Sequence, residues 1–466
     1  MSYEKKDLYA KQFSRMLQCP TVTGCEQKHF DDLHAVMWEI APEFSKLPRF
    51  NVRNNAMIIK WEGKKHDRPL VLMAHQDVVP EEDPKGWKYP PYSGAIEEGK
   101  IWGRGAVDCK CMVFGSMVAA NELINEGFVP EQDIYFCYGD DEENSGGSAI
   151  AEAKYLSETL GVKPVLVIDE GGGMVSKEPF KKFLVKNAGV IGVQEKGFAD
   201  FKFIARSKGG HSSAPPKNTP FVRLAKFILY NEKHNIFDVK VLPILKELFK
   251  DLSKAVKPAL RPLVKNAYHI LPLALKVLPD SLSSQVKAFL STTMVFTMAE
   301  GSHASNNIPD AAWVLANLRF SPQEGHDKCM KKLEKVAKKY DIEIEVLNTR
   351  DASPCTDTKS EGYKFTVDMI NKTYGDTVLA PYLIAGGTDC RYMQDICSTA
   401  LRFTPFLVSP EELGACHGYN ERIGVDSLAQ GVDFYRNVLT NFKKKTTKQK
   451  KNPVNWAGFL LCFIKY

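Results

Sequence analysis

The sequence has no apolar run long enough for a membrane-spanning helix, which needs roughly 20 residues. The late apolar stretch, residues 454–464, is about half that length. Residues 1–7 are mostly charged and lack the apolar segment of a secretory signal. We therefore expect a protein that does not cross a membrane.

The cysteines also lack a pairing pattern. Eleven are scattered along the chain, the closest pair is Cys109 and Cys111, and no Cys-x-x-Cys repeat suggests a zinc knuckle. Such usage is typical of a reducing compartment. We therefore expect a cytoplasmic protein.

The body of the chain has no excess of charge of either sign. The sequence carries 62 basic and 56 acidic residues, for a net charge of +6. Seven lysines and no acid lie in residues 443–466, so the rest holds 55 basic and 56 acidic residues. A nucleic-acid partner is therefore not expected. The basic tail, 443–466, is predicted to be flexible, with a membrane-surface role as a minor alternative.

The chain is long enough for at least two domains, because 466 residues exceed one compact core. After two amphipathic helices over 5–46, apolar strands alternate with helices. The predicted strands are 55–61, 69–74, 133–138 and 165–168, and the predicted helices are 111–127 and 146–160. This alternation predicts an α/β fold with a mixed, largely parallel sheet covered on both faces.

The pattern changes after residue 187. Residues 193–206, 313–320 and 342–347 alternate like strands with one exposed face, and the helices predicted at 220–234 and 324–340 lie between them. We interpret 188–352 as an inserted α+β domain. It would divide the main α/β domain into residues 1–187 and 353–442, and the second part would end in a helix over 426–442.

Residues 238–290 of the insert are rich in leucine and proline. Leu242, Leu245, Leu248, Phe249 and Leu252 recur at helical spacing. We favour the buried core of a helical excursion. The alternatives are a hydrophobic wall for a substrate and a dimer contact.

Polar side chains gather where the predicted strands end, which is where sites lie in open α/β sheets. They are His75 and Asp77, Asp108 at the mouth of a helix, Asp140 to Glu143, Asp169, and His417 in a late loop. Any one of these motifs is weak on its own. Together, acidic and imidazole groups at several strand ends would repel or stay unsatisfied without cations, and two metal ions would solve that problem.

These motifs resemble the signature of the co-catalytic zinc aminoacylase/carboxypeptidase family, which includes glutamate carboxypeptidases, carboxypeptidase S, aminoacylases, desuccinylases and carnosinase-type dipeptidases. The resemblance is carried by His75–Pro80, Gly103–Lys110, Asp141–Glu143 with Gly146 and Gly147, and Asp169–Gly172, and it spans about residues 10–442. It implies a zinc-binding α/β catalytic domain interrupted by a smaller lid domain that often dimerises.

The resemblance also implies a site for two Zn²⁺ ions, with Co²⁺ or Mn²⁺ as alternatives. Asp108 would bridge the two ions. His75 and Asp169 would complete one ion, and Glu143 and His417 would complete the other.

Two further side chains have implied catalytic roles. Glu142 would be the general base that takes a proton from the metal-activated water and passes it to the leaving amine; the alternative is a surface carboxylate. Asp77 would accept the other ring N–H of His75 and fix its tautomer.

Cys109 and Cys111 depart from the family pattern. We interpret them as small buried residues of a helix start, with thiolate metal binding as a minor alternative.

The lid domain and a later loop carry a second set of implied residues. His211, within Gly209–Ser213, resembles the family's lid histidine, which reaches an active site, usually that of the partner subunit, and polarises the scissile carbonyl. The implied substrate-binding residues are Asn306, Arg319, Gly387, Thr388 and Arg391. Arginine suits a substrate carboxylate because its planar fork binds both oxygens. The alternatives are an ordinary turn histidine and surface ion pairs.

The resemblance thus implies a zinc-dependent hydrolase that cleaves an amide bond next to a free carboxylate. We favour a carboxypeptidase or an N-acyl-amino-acid amidohydrolase acting on a small peptide or N-acyl amino acid, as a homodimer formed through the lid domain. A dipeptidase of the same family is the first alternative. A non-catalytic binding relic is the second, and the presence of all the implied ligands and the base argues against it.

Overall fold

A computed structural model of the protein describes residues 2–144, 146–275 and 277–443. The tail that was predicted to be flexible lies outside these residues, apart from Lys443. In the described ranges, no helix combines the length and the apolarity needed to cross a membrane.

The first part of the chain alternates strands and helices, as the sequence predicts. Its elements are α1 (Lys6–Leu17), α2 (Gln27–Ile40), β1 (Arg49–Arg53), β2 (Ala56–Trp61), β3 (Lys65–His75), β4 (Ile96–Glu97), β5 (Lys100–Trp102), α3 (Lys110–Asn125), β6 (Gln132–Gly139), α4 (Gly147–Lys154), β7 (Leu166–Asp169), β8 (Gly173–Val175) and β9 (Asn187–Glu195). The helix predicted over 146–160 consists of α4 and a π-helical turn over Tyr155–Thr159.

The inserted part and the return to the main domain follow in order. The elements of the insert are β10 (Gly197–Arg206), β11 (Gly210–His211), α5 (Pro220–Lys233), α6 (Pro243–Leu252), α7 (Arg261–Asn266), α8 (Leu271–Ala274), α9 (Asp280–Leu290), β12 (Thr293–Glu300), β13 (Asn307–Ile308), β14 (Ala311–Phe320), α10 (Gly325–Lys339) and β15 (Glu343–Arg350). Those of the return are α11 (Glu361–Tyr374), β16 (Thr377–Ile384), α12 (Cys390–Met393), β17 (Ala400–Arg402), α13 (Pro410–Leu413), β18 (Arg422–Gly424) and α14 (Val425–Asn441).

A nine-stranded mixed sheet forms the main domain. Its order is β1-β2-β6-β3-β7-β17-β9-β16, with β8 paired to β9. The central pairs β6–β3, β3–β7 and β7–β17 are parallel. Helices cover both faces, and all eight residues of β6 are buried. The predicted α/β class is therefore confirmed, and the carboxyl ends of β3, β6, β7 and β17 lie along one edge of the sheet.

A separate four-stranded antiparallel sheet, with the order β12-β14-β10-β15, lies in the inserted part, which is the predicted lid domain. Helices α5 and α10 pack on it over a core of its own, which includes Phe201, Phe203, Phe227 and Leu333. The strand predicted over 193–206 is two strands. Its first residues finish β9 of the large sheet, and β10 begins at Gly197 in the lid sheet.

The helical excursion packs on the main domain rather than on the lid core. Helix α6 lies against β16 of the large sheet. Leu242, Leu245 and Leu248 are buried in the same apolar cluster as the strands and helices of the main domain. The helical spacing predicted this buried face, but it carried no information about which sheet the face would meet.

Candidate metal centre and active site

The edge where the parallel strands end gathers the predicted imidazoles and carboxylates. His75 is the last residue of β3, and its Nε2 lies 3.0 Å from Oδ1 of Asp108. Nε2 of His417 lies 3.0 Å from Oδ2 of Asp108 and 3.0 Å from Oε2 of Glu143. Each oxygen of Asp108 therefore faces one imidazole, which is the arrangement that a carboxylate bridging two metal ions requires.

The fifth predicted ligand, Asp169, points elsewhere. Its Oδ2 accepts a hydrogen bond from the backbone N–H of Cys390 at 2.7 Å. The next residue, Glu170, turns toward the site instead, with Oε1 3.5 Å from Nε2 of His75. The structure therefore brings Glu170, which the sequence analysis missed, to the place expected for Asp169.

Cys109 also lies within this cluster of possible ligand atoms, beside His75 and Glu170. Its Sγ accepts a hydrogen bond from the backbone N–H of His75 at 3.2 Å. Complete burial raises the pKa of the Cys109 thiol well above its usual value, which disfavours a thiolate ligand. Cys111 is likewise fully buried. These contacts favour the interpretation of both cysteines as buried residues of the helix start.

Glu421 holds the loop that carries Asp108, and the sequence analysis missed it. Its fully buried carboxylate accepts hydrogen bonds from the backbone N–H groups of Gly105, Val107 and Asp108 at 3.0, 2.8 and 3.1 Å. It also accepts one from Arg104 Nη1 at 2.8 Å. In the sequence, Glu421 lies four residues after His417. No sequence pattern distinguishes this acid as part of the site.

Asp77 links the histidine to the turn that carries Glu142. Its carboxylate accepts hydrogen bonds from the backbone N–H groups of Glu142 and Glu143, both at 3.2 Å, and from the hydroxyl of Thr23 at 2.7 Å. Nδ1 of His75 lies 2.9 Å from the Asp77 carbonyl oxygen and 3.4 Å from its Oδ1. A proton on Nδ1 would therefore be donated to Asp77, which leaves Nε2 free for a metal.

The electrostatics of the protein alone favour a cation at this edge. Burial raises the pKa of Glu142 well above its usual value, and the charge of Glu170 adds to the rise. Burial also raises the pKa of Glu170 to about 8, with the charge of Asp108 as the next cause. Several carboxylates thus compete for few positive charges in a buried space.

The pKa of the second imidazole, that of His417, is also shifted by the carboxylates around it. Hydrogen bonds to Asp108 and Glu143 raise the pKa of His417 to about 10. Hydrogen bonds from His417 and His75 lower the pKa of Asp108, although burial opposes that shift. Oε1 of Glu143 is buried without a hydrogen-bond partner. Two imidazoles and three carboxylates, one of which has a buried oxygen without a partner, are a donor set that fits divalent metal ions such as zinc.

A cavity of about 480 Å³ lies between this cluster and the lid domain. Its lining from the main domain includes Glu142, Glu143 and His417, and its lining from the lid includes Arg319 and Asp200. Among the described residues, Arg319 has no ion-pair partner, and burial lowers its pKa. A side chain with an unpaired positive charge thus shares one cavity with the acidic cluster.

The glycine-rich loop supplies the remaining wall, through residues 386–389 and Arg391. Arg391 is bound to buried Glu195, with Nη2 2.9 Å from Oε2. Thr388 donates its hydroxyl to the same carboxylate at 2.7 Å. Glu195 also pairs with Arg402. Glu195, which no pattern in the sequence singled out, fixes the shape of this loop and engages the guanidinium of Arg391.

The geometry agrees with comparisons to known proteins. Residues 71–441 match the model of peptidase family M20/M25/M40. The chain belongs to peptidase family M20. This confirms the resemblance drawn from the motifs, and it makes the chain a member of an enzyme family.

Several M20 relatives match most of the chain. It is 27% identical over 448 residues to a probable carboxypeptidase S-like 2 from Dictyostelium discoideum, covering 93% of this chain and 85% of the relative. It is 28% identical to the N-fatty-acyl-amino acid synthase/hydrolase PM20D1 from Xenopus tropicalis, covering 82% and 74%. The M20 family metallo-carboxypeptidase Sso-CP2 from Sulfolobus solfataricus shares the fold, with a TM-score of 0.65, 20% identity, and coverage of 92% of this chain and 98% of that one.

Two of the residues predicted to act from the lid domain of this M20 chain, His211 and Asn306, do not line its cavity. His211 is exposed and lies in the two-residue strand β11, which pairs with β13. Its Nδ1 lies 2.9 Å from the hydroxyl of Ser213. Asn306 is also exposed, and its carbonyl accepts a hydrogen bond from the backbone N–H of Ser212. These two residues form one small exposed unit of the lid domain.

Proposed function

We propose that the protein is a zinc-dependent hydrolase that cleaves an amide bond next to a free carboxylate. The observation that carries this proposal is Asp108, whose two oxygens each lie 3.0 Å from the Nε2 atom of a different histidine, His75 or His417. Relatives named as carboxypeptidase S-like and as an N-fatty-acyl-amino acid hydrolase support a peptide or N-acyl amino acid as substrate.

Five residues would hold two ions, with Co²⁺ or Mn²⁺ as alternatives to zinc. One ion would be held by His75, Asp108 and Glu170, and the other by Asp108, Glu143 and His417. Glu170 takes the place that the sequence analysis gave to Asp169, because only Glu170 is directed at His75. When bound, the ions would supply a Lewis acid for the scissile carbonyl and would lower the pKa of the attacking water.

Glu142 would move the proton. A general base works best with a pKa near the operating pH, and burial shifts the pKa of Glu142 upward in that direction. Its carboxylate would take the proton of the attacking water and deliver it to the leaving amine. Asp77 would keep Glu142 in place through the hydrogen bond to its backbone N–H.

Substrate binding would use both domains. Arg319 would bind the free carboxylate, since its guanidinium is in the cavity without an ion-pair partner among the described residues. Gly387, Thr388 and Arg391 would shape the opposite wall, with Arg391 held by Glu195.

The exposed lid unit would act across a dimer. His211 and Asn306 are exposed and lie outside the cavity of their own chain. We propose that a homodimer formed through the lid domain brings them to the partner's active site, where His211 would polarise the scissile carbonyl.

A reducing, cytoplasmic location is supported by the ten described cysteines, which are all free thiols.

The test replaces the proposed base. Glu142→Gln should keep both metal ions and lose about 10²-fold or more in turnover, because it removes only the proton acceptor. Zinc content by elemental analysis and turnover on N-acyl amino acids and dipeptides, measured side by side, check both points. Glu97→Gln, at an exposed position in β4, is the matched control. Turnover unchanged in Glu142→Gln would remove the base assignment, and a wild-type protein that hydrolyses neither substrate class would refute the function.

A further inference from the structure

The lid sheet gives the active-site cavity a wall with charges of both signs. Five lining residues come from three neighbouring strands of that sheet: Phe198 and Asp200 from β10, Asn317 and Arg319 from β14, and Asn348 from β15. The same cavity is lined on its other side by Glu143 and His417 of the proposed metal centre. A substrate held at the metal centre would therefore face this wall of the lid.

Antiparallel pairing brings these side chains to one face of the sheet. Asp200 lies directly opposite Asn317, and Phe198 lies directly opposite Arg319. Opposed residues, and residues two positions apart on one strand, point to the same face. Ala199, which lies between Phe198 and Asp200, is buried in the core on the other face. Asp200 and Arg319 are therefore diagonal neighbours on the cavity face, with Cα atoms about 7–8 Å apart.

The half-buried carboxylate of Asp200 can accept a further partner. Its Oδ1 accepts a hydrogen bond from Nδ2 of Asn317 at 2.8 Å. Within residues 2–144, 146–275 and 277–443, Oδ2 has no hydrogen bond and Asp200 has no ion pair. Burial is the main cause of the lowered pKa of Arg319, and the charge of Asp200 opposes that shift. Asp200 and Arg319 thus interact at a distance, and each leaves an unpaired charge on the wall.

A substrate carboxylate at Arg319 changes the balance of these charges. Two carboxylates then lie in one half-buried wall, where they repel because solvent screens them weakly. A positive charge on the substrate, placed at Asp200, offsets that repulsion and forms a charge-assisted hydrogen bond. Phe198 supplies an apolar surface on the same face, which the methylene stem of a basic side chain can cover. The wall therefore matches a molecule with a carboxylate and a nearby cation.

We propose that Asp200 selects substrates in which the residue with the free carboxylate has a basic side chain. The carboxylate binds Arg319, the ammonium of lysine or the guanidinium of arginine binds Asp200, and Asn317 holds the Asp200 carboxylate in place. The inference rests on the proposed function and narrows it to the release of basic amino acids. Hydrolysis adds one water across the amide C–N bond, so the products are an acid and a free lysine or arginine.

The test compares side chains in the full-length, zinc-loaded protein. N-acetyl-L-lysine is paired with N-acetyl-L-norleucine, which has the same carbon stem without the ammonium. Glycyl-L-lysine and glycyl-L-norleucine form a second pair, so the preference can be measured for an acylase or for a dipeptidase. Asp200→Asn removes the charge and keeps an oxygen for Asn317, whereas Asp200→Glu keeps the charge. Asp327→Asn makes the first change at an exposed residue of α10 outside the cavity and is the matched control.

We expect the wild type and Asp327→Asn to favour lysine over norleucine by about 10–100-fold in kcat/KM, the size of a hydrogen bond to a charged group. Asp200→Asn should remove most of that preference, mainly through KM, and Asp200→Glu should retain part of it. Equal kcat/KM for lysine and norleucine in the wild type, or a preference that survives in Asp200→Asn, would overturn the inference and leave the proposed function standing.

The two substrate pairs also separate the side chain from the amino group of a dipeptide. A preference for glycyl over acetyl substrates that Asp200→Asn abolishes, with no preference between lysine and norleucine, would place Asp200 at the other side of the amide. That result would overturn the side-chain assignment.

Product binding separates the subsite from the chemistry. Calorimetry should show at least about tenfold tighter binding of free L-lysine than of L-norleucine to the wild type and to Glu142→Gln. The two amino acids should bind Asp200→Asn with similar affinity. Equal affinities in the wild type would overturn the inference even if no amide is hydrolysed. Lysine-selective binding without hydrolysis of either substrate class would refute the proposed function and leave the subsite for a basic amino acid standing.

Discussion

Replacement of Glu421 by glutamine tests whether a buried carboxylate organises the metal centre. Oε2 of Glu421 accepts hydrogen bonds from Arg104 and from the backbone N–H of Gly105. Oε1 accepts from the backbone N–H groups of Val107 and Asp108. Glutamine has nearly the same shape, but its NH₂ group replaces one of the two carboxylate oxygens. At either position the NH₂ group would face two hydrogen-bond donors, from which it cannot accept.

The expected magnitude follows from those contacts. Glu421→Gln should lose two hydrogen bonds and leave two buried donors without acceptors, at about 1–3 kcal/mol each, or ~2–6 kcal/mol in total. That is a large part of a typical unfolding free energy of about 5–15 kcal/mol. The substitution should also weaken zinc binding by about 10–100-fold, because residues that orient a ligand have effects of that size.

Urea unfolding of the chelator-treated protein and competitive zinc titration check these values. Glu411→Gln is the matched control, since the Glu411 side chain is 81% exposed where it pairs with Arg422, and a surface pair of this kind contributes about 0–1 kcal/mol. If Glu421→Gln unfolds within about 0.5 kcal/mol of the control and binds zinc as the wild type does, Glu421 does not organise the Asp108 loop.

Two further predictions concern the metal ligands. Glu170→Ala should lower the zinc content measured by elemental analysis, whereas Asp169→Ala should keep it if folded, because only Glu170 is directed at His75; the opposite result would restore Asp169 as the ligand. Zinc binding near pH 7.5 should release at least one proton, because His417, with a pKa of about 10, must lose its proton to bind zinc. The affinity for zinc should therefore rise about tenfold per pH unit as the pH increases through neutrality. Calorimetry in two buffers of different ionisation enthalpy measures the release, and equal heats in both buffers would contradict it.

The strand-end motifs carried most of the information about the site. His75 ends β3, Asp108 lies in the loop before α3, and His417 lies more than 300 residues later in the sequence, yet the three meet at one edge. Parallel pairing explains only part of this result, because it places the carboxyl ends of β3, β6 and β7, and with them His75, Glu143 and Glu170, side by side. Asp108 follows β5 and His417 precedes β18, and these two strands pair with each other in a separate sheet. The α/β class followed from the same alternation of apolar strands and helices.

The choice between two adjacent acids could not be predicted in the same way. Asp169 ends β7 on the face of Val167, which packs in the same apolar cluster as Cys390. Its carboxylate binds the backbone there. Glu170 lies just past the strand, where alternation no longer determines direction, and it turns toward His75. The sequence shows that both acids are present, but it does not indicate which of them is directed at His75.

Long-range partners were likewise beyond the sequence. The leucines of α6 predicted a buried helix face, but the face packs on β16 of the large sheet. Glu195 and Glu421 are isolated acids in the sequence, and only the fold brings them to Arg391 and Arg104. Periodicity in the sequence indicates which residues of a helix or strand are buried. The segment that a buried face or an isolated acid contacts depends on how parts far apart in the chain pack together.

A crystal structure of the zinc-loaded protein, with anomalous diffraction at the zinc edge, tests the central claim most directly. The proposal predicts two zinc peaks about 3.5–4 Å apart, with one oxygen of Asp108 on each. A single peak, or a pair of peaks that Asp108 does not contact, would contradict it.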